Sequence, residues 1–139
     1  MAEALIRGLV RGGHVPASHV TASHPRAERR EQLQRDYQIQ VATDNKTVAR
    51  GAQLCLLAVK PQIVDKVLRE IGDQLQPGTL LISVAAGIST ETIEGHVGEG
   101  VRVVRAMPNT PALVGAGATA ISGGSRASES DLATAKAVF

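Results

Sequence analysis

Aromatic residues are almost missing from this chain: Tyr37 and Phe139 are the only two, and tryptophan is absent from its 139 residues. Stacking on nucleobases, by which proteins grip single-stranded nucleic acid, therefore has almost no side chains to use. A core without rings must come from Ala, Val, Leu and Ile. Cysteine is equally scarce. Cys55 stands alone inside the apolar run LCLLAV, which excludes a disulfide framework and reads as a small buried core residue rather than a nucleophile or ligand. A reduced, cytoplasmic setting is the expectation. His14, His19, His24 and His96 lack metal-ligand spacing, so no metal is expected. No apolar stretch is long enough to span a bilayer or serve as a signal, and no membrane is expected as a partner. An excess of one charge is missing too, with 15 Lys and Arg against 13 Asp and Glu. The basic-looking run Arg26, Arg29, Arg30 and Arg35 is interrupted by Glu28, Glu31 and Asp36, as on a solvated helix face, so no nucleic-acid partner is expected. What remains is one globular domain over residues 1–139.

Helix and strand signals alternate along it. A helix opens at Met1 and stops near Gly12 and Gly13, with Ile6, Leu9 and Val10 for its buried side. His19 to Ser23 is a short strand, Pro25 starts a polar helix to about Tyr37, and Ile39 to Ala42 is the next strand. Asp44 or Asn45 caps a brief helix through Arg50. Leu54 to Val59 is a buried strand. After Pro61, the residues Ile63, Val64, Val67, Leu68, Ile71 and Leu75 form one apolar helical stripe. Thr79 to Ala85 is the second buried strand, Ser89 caps a helix through His96, Val101 to Ala106 is the third buried strand, and Asp131 lies in a final amphipathic segment. Strand, crossover helix and strand in this succession imply an α/β fold with a doubly wound, mostly parallel sheet.

Chemistry in such a sheet belongs at the carboxyl ends of the strands. There the first buried strand leads into Ala58-Val59-Lys60-Pro61, the second into Ala85-Ala86-Gly87, and the third into Met107-Pro108-Asn109-Thr110-Pro111. Small residues let a flat ring lie against the backbone. Lys60 adds a charge to that mouth or is a surface lysine before a helix; spacing supports both. Pro108 and Pro111 are expected to end the ladder and fix how Asn109 and Thr110 point. The strand ending at Ser23 carries no acid. A dinucleotide fold selective for NAD places Asp or Glu there for the ribose 2′-hydroxyl, whereas this chain has Ser23-His24-Pro25-Arg26, with Arg29 and Arg30 one turn on. A carboxylate would repel the 2′-phosphate of NADP, while Ser23 and Arg26 can hydrogen-bond it, so NADP is expected over NAD.

Taken in order, MAEALIRGL, DNKTV at 44 to 48, LAVKPQ at 57 to 62, SVAAGIS at 83 to 89 and VVRAMPNTPALVGAGATA at 103 to 120 resemble pyrroline-5-carboxylate reductase. The resemblance covers essentially the whole chain. It implies NADPH-dependent reduction of a cyclic imine, 1-pyrroline-5-carboxylate, to L-proline, with a Rossmann-like domain holding NADP (NADPH). It places Ser23 and Arg26 at the adenosine 2′-phosphate and Asn45 beside the adenosine ribose. Ala58, Val59, Lys60 and Pro61 line the nicotinamide half, with Ala85, Ala86 and Gly87 as its floor. Asn109 and Thr110 shape the loop facing the reacting centre, and no catalytic side chain is singled out.

The family begins with a strand and a G-x-G turn just before the residues matched by MAEA, and it continues into a helical domain that supplies the substrate pocket and the dimer contacts. The expectation is therefore an N-terminal fragment, incomplete at its first strand, inactive alone, and homo-oligomeric only through that further domain. The alternatives are a noncatalytic NADP-binding module and another NADP-linked reductase of the same architecture.

Overall fold

The computed structural model describes residues 1–109 and 117–139. Its elements run α1 (Ala2–Arg11), β1 (Thr21–Ser23), α2 (Ala27–Tyr37), β2 (Gln40–Ala42), α3 (Asn45–Gly51), β3 (Leu54–Leu57), α4 (Val64–Ile71), β4 (Leu80–Ser83), α5 (Thr90–Glu94), β5 (Arg102–Pro108), β6 (Thr119–Gly123) and α6 (Glu129–Val138). Short polar residues set the helix starts. Asp44 accepts the Thr47 N–H before α3, and Ser89 accepts that of Thr92 before α5. On α4 the residues Val64, Val67, Leu68 and Ile71 recur at helical spacing and are all buried, while Asp65, Lys66 and Arg69 are exposed.

Strands β3, β4 and β5 form a parallel sheet, with β6 added antiparallel at the edge beside β5. Period-two alternation divides the sheet's side chains between two cores. Cys55, Leu57, Leu81 and Val103 pack with Val67 and Leu68 of α4 and Ile93 of α5, whereas Leu80, Ile82, Val104 and Ala106 pack with Ala135 of α6. Burial pushes the Cys55 thiol up to about 11, which suits a packing residue. Helices on both faces make this a doubly wound, mostly parallel, Rossmann-like α/β fold.

β1 and β2 pair parallel in a second, two-stranded sheet with a core of its own, Ile6, Leu33, Tyr37 and Ile39. Glu3 of α1 ties that unit to α2. It accepts from Arg29 and Tyr37, which together hold its carboxyl below the usual range against an opposing effect of burial. Among the described residues β1 is laddered only to β2 and β3 only to β4. The usual dinucleotide-binding order puts one strand between them, and the sheet is incomplete at that place, as expected.

Several boundaries differ from the expected ones. The ladder does not stop at Pro108: β5 runs through it, opposite Thr119 of an unforeseen antiparallel strand. Asn109 N–H donates to Ala118, so Pro108 takes the intervening position where an antiparallel ladder asks for no N–H. Ile63 is 44% exposed, because Pro61–Ile63 forms a 3-10 turn ahead of α4 and its side chain leaves the apolar stripe. His19 likewise belongs to a 3-10 turn, Ala17–His19, rather than to β1. The helix capped by Ser89 ends at Glu94, short of His96.

α6 starts with a reciprocal cap, Ser128 with Asp131, and Arg102 of β5 donates to both Asp131 oxygens at 3.0 and 2.9 Å. Burial pushes the Asp131 carboxyl up, but the Ser128 backbone N–H and hydroxyl and the Arg102 guanidinium outweigh it and hold the group below the ordinary range. A depressed folded value means that this stabilisation is complete above the unfolded value, about 3.9, and is lost as pH falls through the folded one. Asp131→Asn is accordingly expected to lower Tm at neutral pH and to flatten the decline of Tm below about pH 4. Thermal melts across that range check it, and parallel Tm profiles for both proteins would contradict it.

Candidate functional site

At the carboxyl edge of the sheet the ladder register sets Leu57 and Ser83, the last residues of β3 and β4, abreast of Arg105, whose strand β5 continues to Pro108. Ala58 to Pro61, Ala85 to Gly87 and Asn109 follow directly along that edge. Val84 N–H still donates to Leu57, and Ala85 N–H turns onto the Ser83 hydroxyl, which bends the chain out of the sheet. Ala85 is 2% exposed, whereas Ala86 and Gly87 stand open. Gly87 has φ +73, and it can do so because it carries no Cβ. Lys60 is exposed at the start of the Pro61–Ile63 turn. Asn109 accepts the Ala118 N–H at 3.0 Å. Thr110 lies outside the described residues. At this edge the surface is small-sided backbone with one lysine and one amide.

A second cluster lies at the ends of β1 and β2. The Ser23 hydroxyl donates to Asn45 Oδ1 at 2.6 Å, bringing the end of β1 against the start of α3. His24, Pro25 and Arg26 form the turn into α2. Arg30 donates to the carbonyls of His24 and Pro25 at 2.6 and 2.9 Å and so fixes this turn, while Arg29 is engaged by Glu3 and Gln32. Of the three arginines nearest the end of β1, Arg26, Arg29 and Arg30, the last two are thus structural. Arg26 is exposed, and its guanidinium makes no hydrogen bond or ion pair among the described residues. The Arg26 backbone N–H donates to His24 Nδ1 at 3.1 Å. Burial and the Arg26 charge lower the His24 pKa, so the turn presents Arg26 as its cation beside a neutral imidazole.

Sequence reasoning missed two participants. Glu70 of α4, which lies outside the apolar stripe, accepts from Asn45 Nδ2 at 3.1 Å and links the two sheets through α3. Arg105, one of the three residues abreast, has a buried Nε without a hydrogen-bond partner and an Nη2 lying 3.5 Å from Met107 Sδ. No spacing rule pointed to either, because each depends on which elements meet. Among the described residues no helix is long and apolar enough to cross a membrane.

Comparison with known proteins bears on this edge. The family model described as NADP oxidoreductase, coenzyme F420-dependent, matches residues 1–87. A pyrroline-5-carboxylate reductase of Synechocystis sp. is 40% identical over 140 residues, covering 100% of this chain and 51% of the relative. A solved pyrroline-5-carboxylate reductase of Coxiella burnetii superposes with TM-score 0.92 at 30% identity, over 99% of this chain and 51% of that one. That of Plasmodium falciparum, solved with NADP bound, gives 0.84 at 26% identity, over 99% of this chain and 49% of that one. The chain spans about half the length of the curated relatives it matches. With the family model matched over more than half of its residues, and pyrroline-5-carboxylate reductases alike to it in sequence and fold from end to end, the chain belongs to the NADP oxidoreductase, coenzyme F420-dependent, family.

Proposed function

We propose that residues 1–139 are the NADP-binding part of a pyrroline-5-carboxylate reductase, a protein that reduces 1-pyrroline-5-carboxylate to L-proline with NADPH. The observation that carries the reading is the pairing of an uncommitted Arg26, on a turn fixed by Arg30, with the open, small-sided edge at Ala85 to Gly87. The residues suit the two ends of a dinucleotide phosphate. Ser23, Arg26 and Asn45 take the adenosine ribose and its 2′-phosphate. Ala58, Val59, Lys60 and Pro61 with Ala85, Ala86 and Gly87 take the nicotinamide half, and Asn109 with Thr110 borders the substrate.

When bound, NADPH supplies the hydride that converts the protonated C=N of the imine to C–N. What the chain adds is position and dryness. Ala85 and Ala86 leave room for close approach of a ring to the backbone, and the buried Leu57 and Ser83 beneath them give it a rigid base. Asn109 is itself held by the N–H of Ala118. No nucleophile is required, which agrees with an edge of small and apolar residues that carries one lysine and one amide. The reading carries a cytoplasmic setting, a small-molecule partner in place of nucleic acid or membrane, and homo-oligomerisation through the part of the relatives' length beyond these residues.

The test is turnover in the intact protein that contains this chain. Loss of NADPH absorbance is expected only when the imine is present, whereas the 139-residue polypeptide alone is expected to show none, since it spans about half of its relatives. An intact protein that binds NADPH yet leaves it unconsumed with the imine would instead support a noncatalytic NADP-binding module.

A further inference from the structure

The polar relay Ser23–Asn45–Glu70 has a direction. A carboxylate oxygen accepts and never donates, so Glu70 Oε2 obliges Asn45 to turn its amide N–H₂ toward α4. The amide oxygen is then turned toward β1, where it takes the Ser23 proton at 2.6 Å. Ser23 is left with lone pairs and no free donor. A phosphate oxygen also offers only lone pairs, whereas a ribose hydroxyl brings a proton. In this arrangement the Ser23 oxygen matches a hydroxyl and opposes a 2′-phosphate.

We infer that Glu70 is a positioning residue for cofactor choice: by holding the Asn45 amide it keeps Ser23 an acceptor, leaving Arg26 as the group that favours a 2′-phosphate and restraining that preference. The inference rests on the reading of this cluster as the adenosine end of the cofactor site and divides its roles. Ser23 serves the ribose and Arg26 the phosphate. Turning the Ser23 proton onto a phosphate would strip the half-buried Asn45 oxygen of its donor, and an orphaned acceptor is costly.

Glu70→Gln keeps the shape and removes the obligation, because a glutamine amide accepts or donates. Asn45 is then free to reverse and donate to Ser23, whose proton is released to the phosphate. The ratio of NADPH to NADH affinity, measured by fluorescence titration of the intact protein, is expected to rise on the order of tenfold, the worth of one hydrogen bond to a charged group. Asn45→Ala removes the acceptor itself and is expected to raise the ratio in the same direction. In the Ser23→Ala background Glu70→Gln is expected to leave the ratio unchanged, since there is no hydroxyl to release. A rise of equal size in that background would show that Glu70 acts by its charge alone and would overturn the inference. So would an unchanged ratio in both single variants, even where Arg26→Ala still separates the two cofactors. A protein that binds neither dinucleotide would overturn the reading of the site and the inference together.

Discussion

Replacing Arg26 by Ala in the intact protein is expected to weaken NADPH binding roughly tenfold or more while leaving NADH nearly unchanged. Arg26 is the arginine of the β1–α2 turn whose guanidinium is not already engaged within the described residues. Arg29 belongs to Glu3 and Gln32, and Arg30 to the carbonyls of His24 and Pro25. Neither neighbour can swing in as a substitute without breaking what holds the turn. A charge-assisted contact to a phosphate contributes about 1.5 to 3 kcal/mol, and the loss falls on the phosphorylated cofactor alone. Arg30→Ala should behave differently: the turn loses its support, and both cofactors weaken. Titration of the two variants with NADPH and NADH separates the roles. Equal losses of both cofactors on Arg26→Ala would remove Arg26 from the phosphate.

An equally large effect is expected from the break in the sheet. A polypeptide of these 139 residues alone should unfold over a broad range, and joining to it an upstream apolar strand with a glycine turn should give one sharp transition. Among the described residues β1 and β3 each carry a ladder on one edge only, and the strand that normally separates them would engage both. Each buried backbone group without a partner costs about 1 to 3 kcal/mol, so a few of them rival the roughly 5 to 15 kcal/mol that stabilise a domain. What joins the two sheets is side chain rather than ladder, chiefly Ser23 with Asn45 and Asn45 with Glu70. Circular dichroism melts of the two polypeptides, with hydrogen exchange at the β1 and β3 amides, read the difference. A sharp transition at the same temperature in both would contradict it.

How much of this the sequence disclosed depends on how local each cause is. A cap at Asp44 or Asn45, the Ser89 cap, an apolar α4 stripe and a buried strand opening at Leu54 follow from neighbours within a turn or a strand; although the strand was expected to run on to Val59 and the stripe to begin at Ile63, beyond the observed Leu57 and Val64, all were legible. β6 was not, because Thr119 to Gly123 has little apolar alternation and exists as a strand by pairing with β5. Pro108 misled for a related reason: its missing N–H matters only where a partner asks for it, and that depends on register. At the candidate site, Ser23, Arg26 and Asn45 were named from the sequence, and the structure sets Ser23 at the end of β1 against Asn45 at the start of α3. The division of roles proposed for them was not legible in the sequence. That Arg29 and Arg30 are engaged, and that Glu70 sets the direction of the Asn45 amide, are consequences of α1, α3 and α4 meeting the ends of β1 and β2.

The central claim is that this chain binds NADPH so that its hydride passes to the imine carbon of 1-pyrroline-5-carboxylate. NADPH deuterated at C4 of the nicotinamide, supplied to the intact protein with the imine, tests it by mass spectrometry of the product. Proline carrying deuterium at the former imine carbon is the result predicted. Proline without the label, or NADPH bound and never consumed, would contradict it.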